Sequence, residues 1–153
     1  MSAQPQALPI ANAFSVDVED YFHVSAFSSR IDQEEWEKWP CRVEGSTETV
    51  LRLLAENGAS GTYFILGWIA ERYPGLVRRI VAEGHEIASH GYAHERVSTQ
   101  SPEAFRDDVR RTRSLLEDIS GTAVKGFRAP SFSMTEDTVW AFDILAEEGY
   151  RYS

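Results

Sequence analysis

The sequence predicts an α/β fold in which short parallel strands alternate with helices, as they do in an open parallel sheet or a (β/α) barrel. Short apolar runs alternate with amphipathic stretches about four times along the chain, which is the pattern of βαβ units. The 153 residues are 42% hydrophobic, enough for one domain with its own core. Because the last residues open a further strand, we expect a half-barrel or an open sheet with an unpaired edge.

Strands and helices are assigned from the period of the apolar residues. Short or alternating apolar runs predict strands at 13–18, 61–66, 85–90, 123–130 and 150–153. Apolar stripes at helical spacing predict helices at 46–58, 67–73, 74–84, 101–121 and 135–149. The polar segment 28–43 is predicted to be a long loop with a single helical turn, and residues 1–11 a flexible tail ahead of a domain at 12–153.

Residues that begin and end helices set the boundaries of these elements. The first helix can begin at Ser46 or Thr47, whose hydroxyl would accept a backbone N–H of the first turn. Proline suits the first helical position and glycine the residue after the last. These preferences predict one helix that begins at Pro74 and ends before Gly84. They predict a second helix that is capped by Ser101, begins at Pro102 and ends before Gly121. Thr135 is predicted to cap the last helix.

Composition and charge exclude several classes of function. The formal net charge is −9, and the densest basic cluster, 106–113, is interleaved with acids, so nucleic acid is not an expected partner. No stretch approaches the roughly 18 apolar residues of a transmembrane segment. A single cysteine, Cys41, leaves no internal disulfide. The N-terminal MSAQPQALPIANA does not resemble a signal peptide, which favours a cytoplasmic location, with association with the cell envelope as the alternative.

Polar residues follow three of the predicted strands at the points where the strands end. The segment VDVED (16–20) places Asp17, Glu19 and Asp20 at the first strand, His90 ends the third, and Arg128 ends the fourth. The carboxyl ends of parallel strands lie at one edge of a sheet, where ligands bind in α/β folds. We therefore expect these side chains to lie close together although they are far apart in sequence.

The segment SHGYAH (89–94) holds two histidines, His90 and His94, at a spacing that suits a metal site. A helical zincin motif is excluded, because Gly91 stands where that motif needs Glu and because the segment leaves a strand. Two surface histidines in a loop remain the alternative. With a carboxylate from the same edge, two imidazoles would leave an open metal position for water, as in catalytic zinc sites.

The acids of VDVED allow two interpretations. An acid at a strand end is often a turn former or a helix cap. Three acids within four residues repel one another, however, unless a cation lies among them. One acid would then ligate the metal and a second would accept a proton from water. Arg128 is predicted to pair with that base and to hold its orientation.

The remaining candidates are weaker. His85 begins a strand and is expected to be structural. His23 lies close to the acids in sequence, but nothing fixes its role. The aromatic residues near the acids suit either a core or the stacking of sugar rings: Tyr21, Phe22, Trp36 and Trp39.

These motifs, in this order, resemble the polysaccharide deacetylase family, which is carbohydrate esterase family 4 and contains the NodB homology domain. The resemblance covers roughly residues 12–153. SHGYAH resembles the family's H-[ST]-x-x-H metal motif, with Gly91 where Ser or Thr is usual, and RAPSFS (128–133) resembles its R-x-P motif. The stretch DVEDYFHVSAF (17–27) also resembles deacetylases encoded with exosortase and exopolysaccharide loci in bacteria.

The resemblance implies a role for each matching residue. Asp17 would be the general base and Arg128 its catalytic partner. Glu19, His90 and His94 would hold a divalent metal, with Zn²⁺ as the default and Co²⁺, Ni²⁺ or Mn²⁺ as alternatives. A shifted match would make Glu19 the base and Asp20 the ligand. The first match is preferred, because Asp17 and Glu19 point the same way along a strand. Substrate contacts would come from Tyr21, Pro130 and Ser131.

The resemblance also implies the fold and the reaction. The fold would be an incomplete (β/α) barrel of the NodB type, and the reaction a metal-dependent hydrolysis of N-acetyl groups from amino sugars of a polysaccharide or oligosaccharide. The family places a catalytic histidine in a later L-x-H motif, expected beyond residue 153. Two alternatives remain: a C–N hydrolase of a ureide or cyclic imide, and a non-catalytic metal-binding module. The oligomeric state is left open.

Overall fold

The computed structural model describes residues 12–153, so the predicted tail at 1–11 lies outside the described residues. Within this range three parallel strands form one sheet in the order β1-β2-β3: β1 (Ser15–Val18), β2 (Thr62–Ile65) and β3 (Glu86–Ser89). The α-helices of the same range are α1 (Val43–Glu56), α2 (Gly67–Arg72), α3 (Pro74–Ala82), α4 (Pro102–Ser120) and α5 (Trp140–Glu147). The α/β class that the sequence predicts is therefore present.

The register of the sheet separates its two faces. Val18 pairs with Ile65, and Ile65 pairs with Ser89, so these side chains share one face. Ile65 and Ser89 are fully buried, as expected for a parallel sheet covered by its crossover helices. The opposite face carries Asp17, which pairs in register with Phe64. The charged residue of β1 therefore points away from the helical layer.

The predicted fourth and fifth strands form only isolated bridges, which corrects the predicted strands at 123–130 and 150–153. Phe127 bridges Ser89 of β3, and Tyr152 in turn bridges Gly126. The backbone N–H of Arg128 donates to the carbonyl of Ser89 at 2.9 Å, so this segment still occupies the next position of the sheet. Pro130 has no N–H to donate, and regular pairing ends before it.

Several helix boundaries match the sequence-based predictions. The hydroxyl of Ser101 accepts the N–H of Ala104 at 3.2 Å at the start of α4. Gly121 follows α4 with a φ of 68°, a left-handed conformation that favours glycine. Pro74 begins α3 directly after the end of α2. Local capping chemistry is thus sufficient to place these boundaries.

Helix α1 begins at Val43, which corrects the predicted start at Ser46 or Thr47. Thr47 is buried inside the helix, with 4% of its surface exposed. The preceding Arg42 directs its backbone N–H to the carboxylate of Asp20. A long-range hydrogen bond therefore replaces the local cap that the sequence suggests.

The segment predicted as a loop with a helical turn, 28–43, contains a short 3-10 helix at Gln33–Lys38, whose Trp36 is buried in the core. One further prediction needs correction. The predicted helix at 135–149 is divided into a 3-10 turn at Glu136–Thr138 and then α5. The remaining 3-10 turns are Tyr21–His23, Ser25–Phe27, Val97–Thr99 and Pro130–Phe132.

The helices pack on one side of the sheet around a continuous apolar core. Helix α4 contacts α2, α3, α5 and β3, and its Phe105, Val109 and Leu116 are fully buried. Among the described residues, no helix is both long and apolar enough to cross a membrane. The described residues form a three-stranded parallel sheet with its helices. The (β/α) barrel remains a prediction.

Candidate metal centre

Three side chains meet at the carboxyl edge of the sheet. Glu19 follows the end of β1, His90 follows the end of β3, and His94 lies in the loop beyond. His94 Nε2 lies 3.0 Å from Glu19 Oε2, and His90 Nε2 lies 3.8 Å from the same oxygen. One potential ligand atom from each residue lies within 4.8 Å of the others. The predicted convergence of residues distant in sequence is therefore present.

Burial and charge favour the metal-binding protonation state of two of these groups, His90 and Glu19. His90 and His94 are 2% and 7% exposed, and burial lowers the pKa of the His90 imidazole. Burial raises the pKa of the Glu19 carboxyl, but the imidazoles of His94 and His90 outweigh this effect, so its pKa falls below the usual range. A carboxylate and neutral imidazoles are the protonation states that metal ligation requires.

The donor set fits a divalent transition metal. Two imidazole nitrogens and one carboxylate oxygen are the ligands of catalytic zinc sites, which leave a fourth position open. The set also suits Co²⁺, Ni²⁺ or Mn²⁺. The cavity beside these residues has a volume of about 170 Å³, and its polar lining comprises Asp17, Glu19, His90, His94, Arg128 and Ser131.

His90 is held in place on both sides. Its backbone N–H donates to the carbonyl of Ile65 at 3.0 Å, which continues the pairing between β2 and β3. Its ring Nδ1 is hydrogen-bonded to the carbonyl oxygen of Arg128 at 2.8 Å. The carbonyl acceptor at Nδ1 fixes the orientation of the His90 ring and leaves Nε2 free to face Glu19 and His94.

The loop between the two histidines is fixed by neighbouring helices. The first N–H groups of α2, those of Gly67 and Trp68, donate at 2.9 Å to the carbonyls of Gly91 and Tyr92. The N–H of Tyr92 donates to Asp108 Oδ1 at 2.8 Å. Gly91 has a φ of 73°, and a Cβ there would lie 3.0 Å from Asp108 Oδ2. These contacts account for glycine at the position where the family motif usually has Ser or Thr.

Asp108 is a supporting residue that the sequence-based reasoning missed. It lies on α4, and burial raises the pKa of its carboxyl to about 6. No local pattern marks it, because its contact with the loop depends on how α4 packs against the sheet. Only the packed structure shows that this acid supports the SHGYAH segment.

Arg128 and Asp17 form the ion pair predicted from the sequence. Arg128 Nη1 donates to Asp17 Oδ1 at 2.5 Å, and Nη2 donates to the hydroxyl of Ser15 at 2.8 Å. The guanidinium also lies over the ring of Phe64, at 3.9 Å from its centroid. Contacts with neighbouring strands hold the arginine in one orientation, and the arginine in turn orients the Asp17 carboxylate.

Asp20 has a structural role in this arrangement. Its carboxylate accepts the backbone N–H of Tyr21 at 2.9 Å and that of Arg42, and Asp20 is 5% exposed. It does not belong to the group formed by Glu19 and the two histidines. Its geometry favours the match in which Glu19 supplies the carboxylate ligand.

The residues predicted to contact substrate lie in different places. Ser131 lines the cavity, and its hydroxyl lies 2.8 Å from that of Ser25. Pro130 is buried beside Gly91. Tyr21 packs against Arg42, whose guanidinium carbon lies 4.4 Å from the ring centroid, and is absent from the described cavity lining. Their roles toward substrate remain predictions.

Backbone strain is concentrated at the cavity. His94, Ser131 and Phe132 have φ values of 54°, 54° and 52°, and these are the positive-φ residues other than glycine among those described. All three line the cavity. Non-glycine residues in this region are costly and are found preferentially at functional sites. The clustering supports a function for this edge of the sheet.

The two other histidines, His85 and His23, accept backbone N–H groups. His85 Nδ1 accepts from Gly61 at 3.2 Å, in agreement with its predicted structural role. His23 Nδ1 accepts from Asp20 at 2.8 Å. Burial lowers the pKa of His23 to about 4, so its imidazole is neutral near pH 7.

A parallel α/β layer with two histidines and a carboxylate at its carboxyl edge presents the same types of candidate ligand as the catalytic metal sites of hydrolases. Comparison with known proteins makes the assignment specific. The family model for polysaccharide deacetylase matches residues 36–153. The chain therefore belongs to the polysaccharide deacetylase family.

Individual relatives agree with this assignment. A peptidoglycan-N-acetylglucosamine deacetylase of Bacillus cereus is 32% identical over 96 residues, which cover 62% of this chain and 35% of the relative. A chitooligosaccharide deacetylase of Bradyrhizobium is 32% identical over 101 residues, which cover 65% of this chain and 43% of the relative.

A solved structure extends the comparison to nearly the whole chain. The crystal structure of a putative polysaccharide deacetylase from Mycobacterium smegmatis superposes with a TM-score of 0.75 at 28% identity. The match covers 97% of this chain and 53% of that chain. The chain thus spans about half of that structure, and less than half of the two curated relatives.

Proposed function

We propose that the chain carries the metal-binding part of a polysaccharide deacetylase that removes N-acetyl groups from amino sugars. The observation that supports this most directly is the geometry of one cavity, in which Glu19, His90 and His94 lie beside the Asp17–Arg128 pair. The fold built around this cavity would be the first part of a (β/α) barrel of the NodB type.

The proposed chemistry divides between a metal and the residues of the chain. A divalent ion, for which Zn²⁺ is the best fit to two histidines and a carboxylate, would act as a Lewis acid on the acetyl carbonyl. Hydrolysis breaks the bond between the acetyl carbon and the amine nitrogen, and water supplies a hydroxyl group to the carbon and a proton to the nitrogen. Asp17 is the carboxylate placed to accept the proton of the attacking water. Arg128 orients the Asp17 carboxylate through their hydrogen bond.

The proposed substrate is a polysaccharide or an oligomer of acetylated amino sugars. The names of the relatives support this class, since they describe peptidoglycan and chitooligosaccharide deacetylases. The stretch DVEDYFHVSAF supports a narrower proposal, a bacterial exopolysaccharide, through its resemblance to deacetylases of exopolysaccharide loci. A panel of acetylated oligosaccharides, a ureide and a cyclic imide would separate these substrates.

The first test is the zinc content and Zn²⁺ affinity of the purified protein. We expect one Zn²⁺ per chain in the wild type and loss of that ion in His90→Ala and His94→Ala. The matched control is His85→Asn, in which the amide oxygen can still accept the N–H of Gly61 that His85 Nδ1 accepts in the wild type. A folded wild-type protein that binds no divalent metal would contradict the proposed function at its first step.

A further inference from the structure

The Nδ1 atoms of the two candidate ligand histidines, His90 and His94, have different surroundings. His90 Nδ1 is hydrogen-bonded to the carbonyl of Arg128 at 2.8 Å. His94 Nδ1 is buried and has no hydrogen-bond partner among residues 12–153. Histidines that bind metals nearly always donate the second ring N–H to an acceptor, which fixes the ring and raises its basicity. His94 therefore needs an acceptor that no described residue supplies.

His23 has an unpaired nitrogen of the same kind. The residue is 4% exposed, and its ring lies 4.4 Å and 4.9 Å, between centroids, from those of Trp36 and Trp68. Its Nδ1 accepts the N–H of Asp20, so the ring proton must be on Nε2. Nε2 is buried and has no partner within the described part of the chain. The aromatic packing holds this donor in a fixed direction.

The two histidines share one cavity. His23 and His94 both line a space of about 190 Å³, together with residues of the segment 25–36. A water molecule needs roughly 10–15 Å³ of such space and two to four polar partners. When Nε2 of His94 binds the metal, the proton of the neutral ring is on Nδ1, so both unpaired nitrogens are donors. Two donors cannot bond to each other, but one water oxygen can accept both.

We propose that His23 is a positioning residue of the metal centre, donating from Nε2 to a buried water that also accepts the Nδ1–H of His94. His23 then fixes the orientation of the His94 ring, as the Arg128 carbonyl does for His90. The inference rests on the proposed function, since it requires His94 to be a ligand. It assigns a role to the histidine of DVEDYFHVSAF, which the deacetylase reaction leaves unexplained.

The test compares Zn²⁺ affinity, measured by chelator competition, among variants that change one nitrogen at a time. His23→Asn keeps an acceptor for the N–H of Asp20 but removes the donor at Nε2. We expect this variant to bind Zn²⁺ about 10-fold more weakly, the lower range for loss of a contact that supports a ligand. His23→Gln places an amide N–H near the position of Nε2, so we expect its affinity to lie within roughly 3-fold of the wild type.

A matched control separates this role from general stability. His85 Nδ1 also accepts a backbone N–H, and His85→Asn makes the same chemical change away from the metal centre. We expect that control to leave Zn²⁺ affinity unchanged. Equal affinities in the wild type and His23→Asn would overturn the inference while leaving the metal site intact. A wild type that binds no Zn²⁺ would overturn both proposals.

A measurement on the wild type makes the test independent of any variant. In ¹⁵N spectra of the Zn²⁺-loaded protein, we expect His23 to be protonated at Nε2 only and His94 at Nδ1 only. The His94 Nδ1–H proton should exchange slowly with solvent, because it donates to a buried acceptor. A His23 ring protonated at Nδ1, or a His94 Nδ1–H that exchanges freely, would contradict the proposed water bridge.

Discussion

Arg128 donates a 2.5 Å hydrogen bond to Asp17, although 111 residues separate the two in the chain. The parallel sheet makes this contact possible, because it aligns the end of β1 with the segment that follows β3 in space. The same alignment brings Glu19 to His90. Candidate base and candidate ligands therefore occupy adjacent positions of one cavity and can be tested separately.

Asp17→Asn is expected to abolish deacetylation while leaving the metal in place. Asparagine keeps the size of the side chain but cannot accept a proton from water, and loss of a general base costs about 10²–10⁴-fold in rate. Arg128→Lys should also lower the rate, since an ammonium cannot reproduce the paired contacts of a guanidinium. The measurements are kcat/KM on acetylated amino-sugar oligomers and Zn²⁺ affinity. If Asp17→Asn lost the metal, Asp17 would be a ligand and its assignment as base would be wrong.

Glu19→Gln and Asp20→Asn test the preference for Glu19 over Asp20 as the carboxylate ligand. Glu19→Gln should weaken Zn²⁺ binding beyond the roughly 10–100-fold attributed to loss of a supporting contact. Asp20→Asn should leave Zn²⁺ affinity unchanged and instead lower the free energy of unfolding by about 1–3 kcal/mol, because it disturbs the N–H groups of Tyr21 and Arg42. Zinc competition and urea unfolding of both variants check these outcomes. The reverse pattern would make Asp20 the ligand.

Gly91→Ala is expected to destabilise the protein by about 1–3 kcal/mol, because its φ of 73° is unfavourable for a residue with a Cβ. The new Cβ would also approach Asp108 Oδ2 at 3.0 Å. The matched control is Gly75→Ala in α3, where nothing lies within 4 Å of the added Cβ and where alanine favours the helix. Urea unfolding of both metal-free variants measures the difference. Equal stability of the two variants would show that the loop relaxes at Gly91.

Asp108 is expected to make stability depend on pH. Its pKa rises from an ordinary 3.8 to about 6 in the folded protein. Between these values the native state binds a proton that the unfolded state releases, so the free energy of unfolding falls as pH rises. For this partly buried group we expect a loss of about 1–3 kcal/mol, which is complete about one pH unit above the folded pKa. Asp108→Asn keeps an acceptor for the backbone N–H of Tyr92. Because asparagine does not titrate, this variant should not lose stability as pH rises, and its free energy of unfolding at neutral pH should exceed that of the wild type.

Urea unfolding across this pH range tests the prediction for Asp108. The matched control is Asp107→Asn, the neighbouring acid on α4, whose side chain is 81% exposed. That control should follow the pH dependence of the wild type. Parallel curves for the wild type and Asp108→Asn would mean that Asp108 titrates normally in the folded protein.

Much of this architecture could be predicted from local patterns. Ser101, Gly121 and Pro74 mark helix boundaries, because capping and φ preferences act within a few residues. The alternation of strands and helices predicts the α/β class. It also predicts that acids after β1 and histidines after β3 lie at one edge, since parallel strands end there.

Other features depend on contacts that no local pattern contains. Helix α1 begins where the backbone N–H of Arg42 donates to Asp20, and the same contact directs the Asp20 carboxylate to that backbone group. The predicted fourth strand is reduced to a bridge at Phe127, because its pairing depends on neighbours as well as on its apolar residues.

By itself, the sequence determined the order of the elements and the types of side chain that reach the carboxyl edge. Periodicity and capping are properties of adjacent residues, so they can be read along the chain. Only the tertiary structure decided which acid meets His90 and His94, and that Asp108 supports their loop. Those outcomes depend on distances across the packed sheet and helices, which are set by the packing of the whole core.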